Sequence, residues 1–201
     1  MFLDIVGLMQ QVGCNPLPPQ TGASFVCPGP RNHDGIVLEQ QTEEEGIKTL
    51  NVLNAMIADL DELNKAGDDN CSPQYLARTW DENMLWYGPA GIGASYTIPR
   101  YQEQHQYPFR EGLTGKTYNG HVCRFAEGNF ACFFGWPNLS HKPNGGLMGL
   151  PGGEQTHMRV VDVYRREGDK LIENWVIIDI PYWLKQQGLD VLERTSKILN
   201  P

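Results

Sequence analysis

Two aspartates stand among aliphatic residues near the C-terminus, where a carboxyl group could transfer protons. Asp179 lies between two isoleucines, and Asp162 lies in a run of valines. Apolar neighbours withdraw a carboxylate from water and raise its pKa, which suits it to acid/base chemistry near neutral pH. We predict Asp179 as the acid/base residue. Asp162 would be a second carboxyl group in the same cavity, so that one is ionised and the other protonated.

Each aspartate also has a structural alternative. Asp179 precedes Pro181, so its side chain could instead cap the helix that follows. Asp162 could face outwards and pair with Arg165 or Arg166, and the sequence slightly favours this orientation over the catalytic one. Both alternatives stay open at this point.

Two histidines are further candidates. His121 shares a face of a predicted strand with Cys123 and Phe125, and Phe125 indicates that this face is buried. His121 could orient a substrate or shuttle a proton, although a lone strand histidine is more often structural. His105 lies in a predicted helix beside Pro108 and is the weaker candidate.

A set of aromatic and polar side chains could form the wall of an apolar cavity. Indole and phenol rings bind flat, ring-bearing ligands by stacking, and an amide can donate a hydrogen bond to a carbonyl. The same aromatic residues would serve equally well in a core. The predicted ligand contacts are Trp80, Asn83, Trp86, Tyr87, His105, Trp136 and Trp175.

Other chemistries lack their motifs. The segment 112–117 ends like a phosphate-binding loop, but Arg110 stands where the first glycine is required. The glycines after Tyr87 do not belong to a strand–loop–helix dinucleotide unit. His121 and Cys123 have no second ligand pair at zinc spacing. We therefore expect neither a metal nor another cofactor.

Composition limits the class of partner. The 201 residues include 24 acidic and 16 basic side chains, a net charge of −8, which argues against a nucleic-acid surface. No stretch approaches the roughly 18–20 apolar residues that a membrane span needs, and the first residues lack a basic signal-peptide region. Five scattered cysteines favour reduced thiols in the cytoplasm. The expected partner is a small hydrophobic molecule, with no nucleic acid and no membrane.

The elements that must position these residues come in two blocks. Thr42 and Glu45 form a capping box before a long helix with apolar residues at spacings of three and four. Shorter helices follow, the third at about Ser95 to Gln106. Strands with two hairpin turns, at 127–129 and 167–169, come next, and a short helix at 181–187 and a polar tail complete the chain. Helices followed by a meander predict an α+β fold.

The N-terminal residues carry a short internal match. Residues 3–13 align with residues 178–188, and an aspartate, an isoleucine, a glutamine and a glycine coincide. The match is either chance or the end of a preceding copy of the same domain, trimmed from a tandem repeat. We predict an N-terminal arm at 1–41, a domain at 42–190 and a C-terminal tail at 191–201.

Three motifs occur together in the domain. They are WDENMLWYGPAGIG at 80–93, YQEQHQYPF at 101–109 and DVYRREGDKLIENWVIID at 162–179. In this order they resemble the SnoaL-like polyketide cyclase family, within the nuclear transport factor 2-like (NTF2-like) superfamily, over about residues 43–190. The resemblance implies a cone-shaped α+β barrel, in which a curved antiparallel sheet wraps around a long N-terminal helix and shorter helices. It also implies a cavity at the wide end and a homodimer.

The resemblance further implies a cofactor-free enzyme of cyclase or isomerase type. Family members close polyketide rings by intramolecular aldol condensation with an aspartate as acid/base, and Asp179 is the position closest to that aspartate. His121 or Asn83 would stabilise the enolate oxygen. The alternatives are a non-catalytic ligand-binding or dimerisation module and an epoxide hydrolase-like activity. The latter needs an acid–arginine–acid set, yet Arg159 and Asp162 face opposite sides of a regular strand.

Overall fold

The computed structural model describes residues 4–17, 27–32, 38–65, 72–145 and 152–201. The helices are α1 (Ile5–Gln11), α2 (Glu43–Lys65), α3 (Pro73–Leu76), α4 (Ile98–Tyr101), α5 (Tyr107–Gly112), α6 (Ile180–Lys185) and α7 (Val191–Leu199), with a π-helix at Gln102–Gln106. The strands are β1 (Trp80–Tyr87), β2 (Ala94–Tyr96), β3 (Leu113–Tyr118), β4 (Cys123–Glu127), β5 (Phe130–Pro143), β6 (Thr156–Glu167) and β7 (Lys170–Ile178). Within these residues no helix is long and apolar enough to cross a membrane.

The strands form one curved, unclosed sheet in the order β2-β1-β7-β6-β5-β3, with β4 also paired to β5. The predicted α+β class with a cone-shaped, curved sheet is confirmed. The pairing differs in one detail from a purely antiparallel sheet, because β1 runs parallel to β7. We call the face that carries Asp162 and Val176 the inner face, and the face that carries Val163 and Trp175 the outer face.

Strand β5 contains an irregularity in its pairing with β6 that places Asn138 and Leu139 on the inner side of the sheet. Its register with β6 shifts between Gly135 and Leu139. A side chain at Gly135 would collide with Asn138, whose Cβ lies 1.9 Å from the place that a Cβ would take. The irregularity therefore requires glycine here, and it brings Asn138 and Leu139 to the inner side of the sheet.

Helix α2 lies across the inner face. Its first turn is capped as predicted, since the Thr42 hydroxyl accepts a hydrogen bond from the Glu45 N–H at 3.4 Å. Leu53 and Met56 are fully buried against the sheet. Burying two such side chains stabilises the fold by about 1.5–3 kcal/mol each and fixes the distance between the helix and the sheet.

The third predicted helix has a different extent. Ser95 belongs to β2, and the helical path continues past Pro108 to Gly112. Proline has no N–H and its ring clashes with the carbonyl four residues earlier in an α-helix, here that of Gln104. The π-helix at 102–106 widens the turn at this point, so the chain accommodates Pro108 without ending.

A segment of the predicted N-terminal arm covers part of the outer face. The Arg31 N–H donates to Glu173 Oε1 at 2.6 Å, and the Tyr87 hydroxyl donates to the Pro28 carbonyl at 2.9 Å. Beneath this segment Glu173 and Arg165 form a buried ion pair. In α1, the Asp4 carboxylate caps the helix and also accepts a hydrogen bond from the β1–β2 connection. The domain limits and the tandem-repeat interpretation stay predictions.

Candidate active site

A cavity of about 550 Å³ lies between the inner face of the sheet and helices α2, α4 and α5. Its wall is apolar over most of its area, and a ligand inside it would be largely removed from water. Thr117 and Tyr118 on β3 are exposed, so the cavity opens at this edge. Besides three tyrosine hydroxyls, the ionisable and amide side chains on the wall are Asp61, His105, Lys116, His121, Asn138, Asp162 and Asn174.

The alternation of side chains along β6 and β7 decides which residues reach the cavity. Asp162 on β6 faces it, contrary to the outward orientation that the sequence slightly favoured. On β7 the cavity side carries Asn174, Val176 and Ile178, while Trp175 lies on the outer face.

Asp162 is the most enclosed carboxyl group on the cavity wall. It is 7% exposed, and its cross-strand neighbours are Phe133 on β5 and Val176 on β7. The Asn174 amide donates to Asp162 Oδ1 at 3.4 Å. Burial raises the pKa of Asp162 to about 7, against the opposing effect of the Asn174 hydrogen bond. The group is therefore divided between its two protonation states at neutral pH, and it can both accept and donate a proton.

His121 reaches the cavity from the loop before β4 rather than from a strand. Its ring stacks on Phe133 at 3.8 Å between centroids, and Arg124 Nε donates to its Nδ1 at 3.0 Å. Burial and the Arg124 charge lower its pKa to about 4. The prediction of a strand face shared with Phe125 is wrong, because β4 begins only at Cys123, and the prediction that this face is buried is wrong too, because Phe125 is 51% exposed.

His105 lies on the π-helix and stacks on Trp86 at 4.3 Å between ring centroids, with Tyr101 and Phe109 on either side. Although part of the ring is accessible from the cavity, the surrounding protein lowers its pKa to about 4. His105 and His121 are thus neutral at pH 7 and bring N–H donors and lone pairs, but no charge, to the cavity.

Asp179 does not line the cavity. Its side chain accepts a hydrogen bond from the Tyr182 N–H at 3.1 Å and so caps α6, which is the structural alternative. Arg159 lies 3.5 Å away and stacks on the rings of Trp136 and Tyr182. The chain turns into α6 directly after β7, which aims this carboxylate away from the cavity. Arg159 does not line the cavity either, so the residues that the structure describes form no acid–arginine–acid set there.

The predicted ligand contacts divide between several places. Trp86 and His105 line the cavity, whereas Trp80 lies behind its wall against Tyr101 and Tyr164. Asn83 is exposed, where β1 is irregular. The outer face carries the stacked pair Tyr87 and Trp175, and Trp136 is 62% exposed beside Arg159.

Several residues of the site were not predicted from sequence, and three of them show why. Asn174 is the hydrogen-bond donor to Asp162, Arg124 holds His121, and Tyr101 lies on the cavity wall. The signal for Asn174 was a polar amide directly before the apolar run 175–178 of β7. Arg124 carried no such signal, because its role depends on the loop that brings His121 back towards β4. Among the described residues, no group of three metal-ligating side chains comes together.

No protein-family model matches the sequence, and no curated protein matches it. Solved structures do match. A provisionally assigned SnoaL-like polyketide cyclase from Jannaschia sp. has a TM-score of 0.58 at 14% identity, covering 76% of this chain and 98% of its own. Another provisionally assigned SnoaL-like polyketide cyclase, from Shewanella denitrificans, has a TM-score of 0.55 at 16% identity, covering 70% of this chain and 96% of its own. An NTF2-like protein from Burkholderia xenovorans has a TM-score of 0.54 at 10% identity, and the match again covers 70% of this chain and 96% of the other. The fold predicted from the three motifs is confirmed, and at these identities the likeness establishes the fold alone.

Proposed function

From an NTF2-like fold with a protonatable acid on its cavity wall, we propose that the protein is a cofactor-free acid/base enzyme. It acts on a hydrophobic, polyketide-like or cyclic carbonyl compound by enolisation, as a cyclase or an isomerase. The observation that carries this proposal is Asp162, which is 7% exposed and lies within the cavity with a pKa of about 7. The provisional cyclase assignments of the structural neighbours support it.

In the proposed reaction, the ionised Asp162 removes a proton from the carbon next to a carbonyl group. The electron pair of that C–H bond forms the enolate, whose oxygen is stabilised by a neutral N–H donor such as His121. The enolate carbon then attacks a second carbonyl of the same molecule, and Asp162 returns its proton to the new alkoxide. In the isomerase variant Asp162 returns the proton to a different carbon.

The cavity wall indicates the kind of substrate. Tyr101 and Phe109 provide flat apolar surface on the helical side, and Trp86, Val160 and Ile178 provide apolar surface on the sheet side. A volume of about 550 Å³ is in the range of sites that enclose ring-bearing small molecules.

The test is α-proton exchange in D₂O, because it detects enolisation before the natural product is known. Cyclic ketones and lactones are incubated with the protein, and deuterium uptake is followed by NMR. Asp162→Asn is expected to reduce exchange by about 100-fold or more, and Asp179→Asn, which keeps its helix cap, to leave it unchanged. Equal rates in wild type and Asp162→Asn would refute the acid/base role. Binding without any exchange would favour the non-catalytic binding module.

We also propose a homodimer formed through the outer face. Val161, Val163 and Ile177 are only partly buried there, and Phe125 is 51% exposed. A second copy would cover this surface. Light scattering is expected to give twice the chain mass for the wild type, and a lower mass for Phe125→Asp. A wild-type monomer at micromolar concentration would contradict this proposal.

A cytoplasmic location completes the proposal. Cys14, Cys27, Cys123 and Cys132 are free thiols in the structure, which suits a reducing compartment. Thiol counting on protein taken directly from its source cells, alkylated at lysis, is expected to show these cysteines reduced. Finding them oxidised would contradict the proposed location.

A further inference from the structure

Arg124 joins three residues beside the cavity opening. Its Nε donates to His121 Nδ1 at 3.0 Å, its Nη1 donates to Asn54 Oδ1 at 2.9 Å, and its Nη2 donates to the Tyr118 hydroxyl at 3.3 Å. These contacts come from α2, β3 and the loop before β4. A guanidinium group remains protonated and has only donors, so Arg124 acts as the donor in all three hydrogen bonds.

The first of these bonds determines where His121 carries its proton. Because Arg124 Nε donates to Nδ1, that nitrogen must present its lone pair. The neutral ring therefore has its proton on Nε2. Stacking on Phe133, with 19° between the ring planes, fixes the plane of the imidazole beside the cavity. The Tyr118 hydroxyl lies 3.1 Å from Nδ1 and 3.4 Å from Nε2, and with this tautomer it can donate to Nδ1 while it accepts from Arg124 Nη2. Nε2–H is then the one N–H of the neutral ring, and a bound molecule would compete for it with the Tyr118 oxygen.

We propose that Arg124 is a positioning residue, which holds His121 as its Nε2–H tautomer so that this N–H meets a substrate oxygen. Arg124 itself does not line the cavity and acts through His121. The part of this proposal that concerns a substrate oxygen depends on the proposed enolisation. The part that concerns the tautomer depends only on the hydrogen bonds of His121.

The charges around His121 act together with this geometry. Arg124 of β4 and Lys116 of β3 are cationic, while Asp61 of α2 and Asp162 of β6 lie on the same cavity wall. Burial is the larger cause of the lowered His121 pKa, and the Arg124 charge is the second. Arg124 thus disfavours protonation of His121 to the imidazolium. In the imidazolium both ring nitrogens carry hydrogen, so Nδ1 could no longer accept the hydrogen bond from Arg124 Nε.

The test is the ¹⁵N NMR spectrum of the histidine rings, recorded from about pH 3 to 8 without any substrate. In the wild type we expect His121 Nδ1 to be unprotonated and Nε2 to carry the hydrogen. Arg124→Met removes both charge and donor, and is expected to give mixed tautomers and a titration midpoint raised by about one pH unit. Arg124→Lys retains the charge without the planar donor fork, so we expect mixed tautomers at a midpoint close to that of the wild type. Arg100→Met, on α4, is the matched control and is expected to change neither.

The outcomes are decisive in each case. A wild-type signal from Nδ1–H overturns the proposal and requires no variant. An unchanged tautomer and midpoint in Arg124→Met overturns it too, and Arg124→Lys provides the comparison if the methionine variant does not fold. If the tautomer is as expected but no substrate shows α-proton exchange, the proposed function fails while the Arg124–His121 coupling stands.

Discussion

Replacement of Asp162 by asparagine is expected to stabilise the protein increasingly as the pH rises. The carboxyl group has a pKa of about 7 in the folded chain, where it is 7% exposed, against about 3.9 in an unfolded chain. This gap of about three pH units corresponds to about 4 kcal/mol in the free energy of unfolding. Asparagine has a similar size and the same need for a hydrogen bond, but it does not ionise.

The sign follows from which state binds the proton. Below pH 3.9 both states of the wild type are protonated at Asp162, so this carboxyl imposes no penalty on the fold. Between pH 4 and 7 the unfolded chain loses the proton and the folded chain keeps it, so the wild type loses stability as the pH rises. The advantage of Asp162→Asn over the wild type therefore grows, with about 2 kcal/mol of the change falling between pH 5.5 and 8.5.

Urea unfolding followed by tryptophan fluorescence at several pH values measures this advantage. His105, His121 and His141, whose pKa values are lowered to about 4, give both proteins an opposite slope between pH 4 and 6.5. Subtracting the free energy of unfolding of the wild type from that of Asp162→Asn at each pH removes this contribution of the histidines. Asp169→Asn controls for the loss of one exposed carboxylate, since Asp169 is 85% exposed. A difference that stays constant from pH 5.5 to 8.5 would mean that Asp162 is ionised in the folded protein, and the proposed mechanism would lose its acid.

Three further substitutions test the surroundings of the site. Asn174→Leu removes the donor to Asp162, and is expected to move the carboxyl ¹³C titration to higher pH; a shift to lower pH would show that this hydrogen bond does not form. Asp179→Ala removes the cap of α6 and is expected to cost about 1 kcal/mol in urea unfolding with α-proton exchange retained, so loss of exchange would return Asp179 to the mechanism. Glu173→Gln removes the buried carboxylate beside Arg165, which keeps only the half-exposed Glu167 at 3.3 Å, and is expected to cost about 3 kcal/mol; a cost below about 1 kcal/mol would show that the Arg165–Glu173 pair is hydrated.

Local chemistry made much of the fold predictable. The capping residues Thr42 and Glu45 mark the start of α2, because an unsatisfied helix N–H needs an acceptor close in sequence. The turn between β6 and β7 places Gly168 at φ 58°, a conformation that glycine adopts without strain. Signals of this kind act over a few residues and do not depend on the rest of the chain.

The site depended on contacts that such signals do not contain. Strand β7 has apolar residues on both faces, so its pattern did not distinguish the face of Val176 from that of Trp175. The orientation of Asp162 is set by Phe133 and Val176 on neighbouring strands rather than by its own neighbours in sequence. His121 was assigned to a strand that begins only at Cys123, which made the alternation argument inapplicable.

The widened turn at 102–106 lets the wall of the cavity absorb a change of one residue in chain length. In an α-helix, side chains four residues apart drift steadily around the axis, whereas a turn with more residues per revolution offsets that drift. Tyr101, His105 and Phe109, each four residues from the next, consequently all reach the cavity. Deletion of one residue here would restore α-helical winding, and because the widened turn holds one residue more than an α-helical turn, Phe109 would keep its direction. A change of a single codon in length could thus be absorbed within this turn, an evolutionary route that alters the residues beside His105 and leaves Phe109 and the sheet in place.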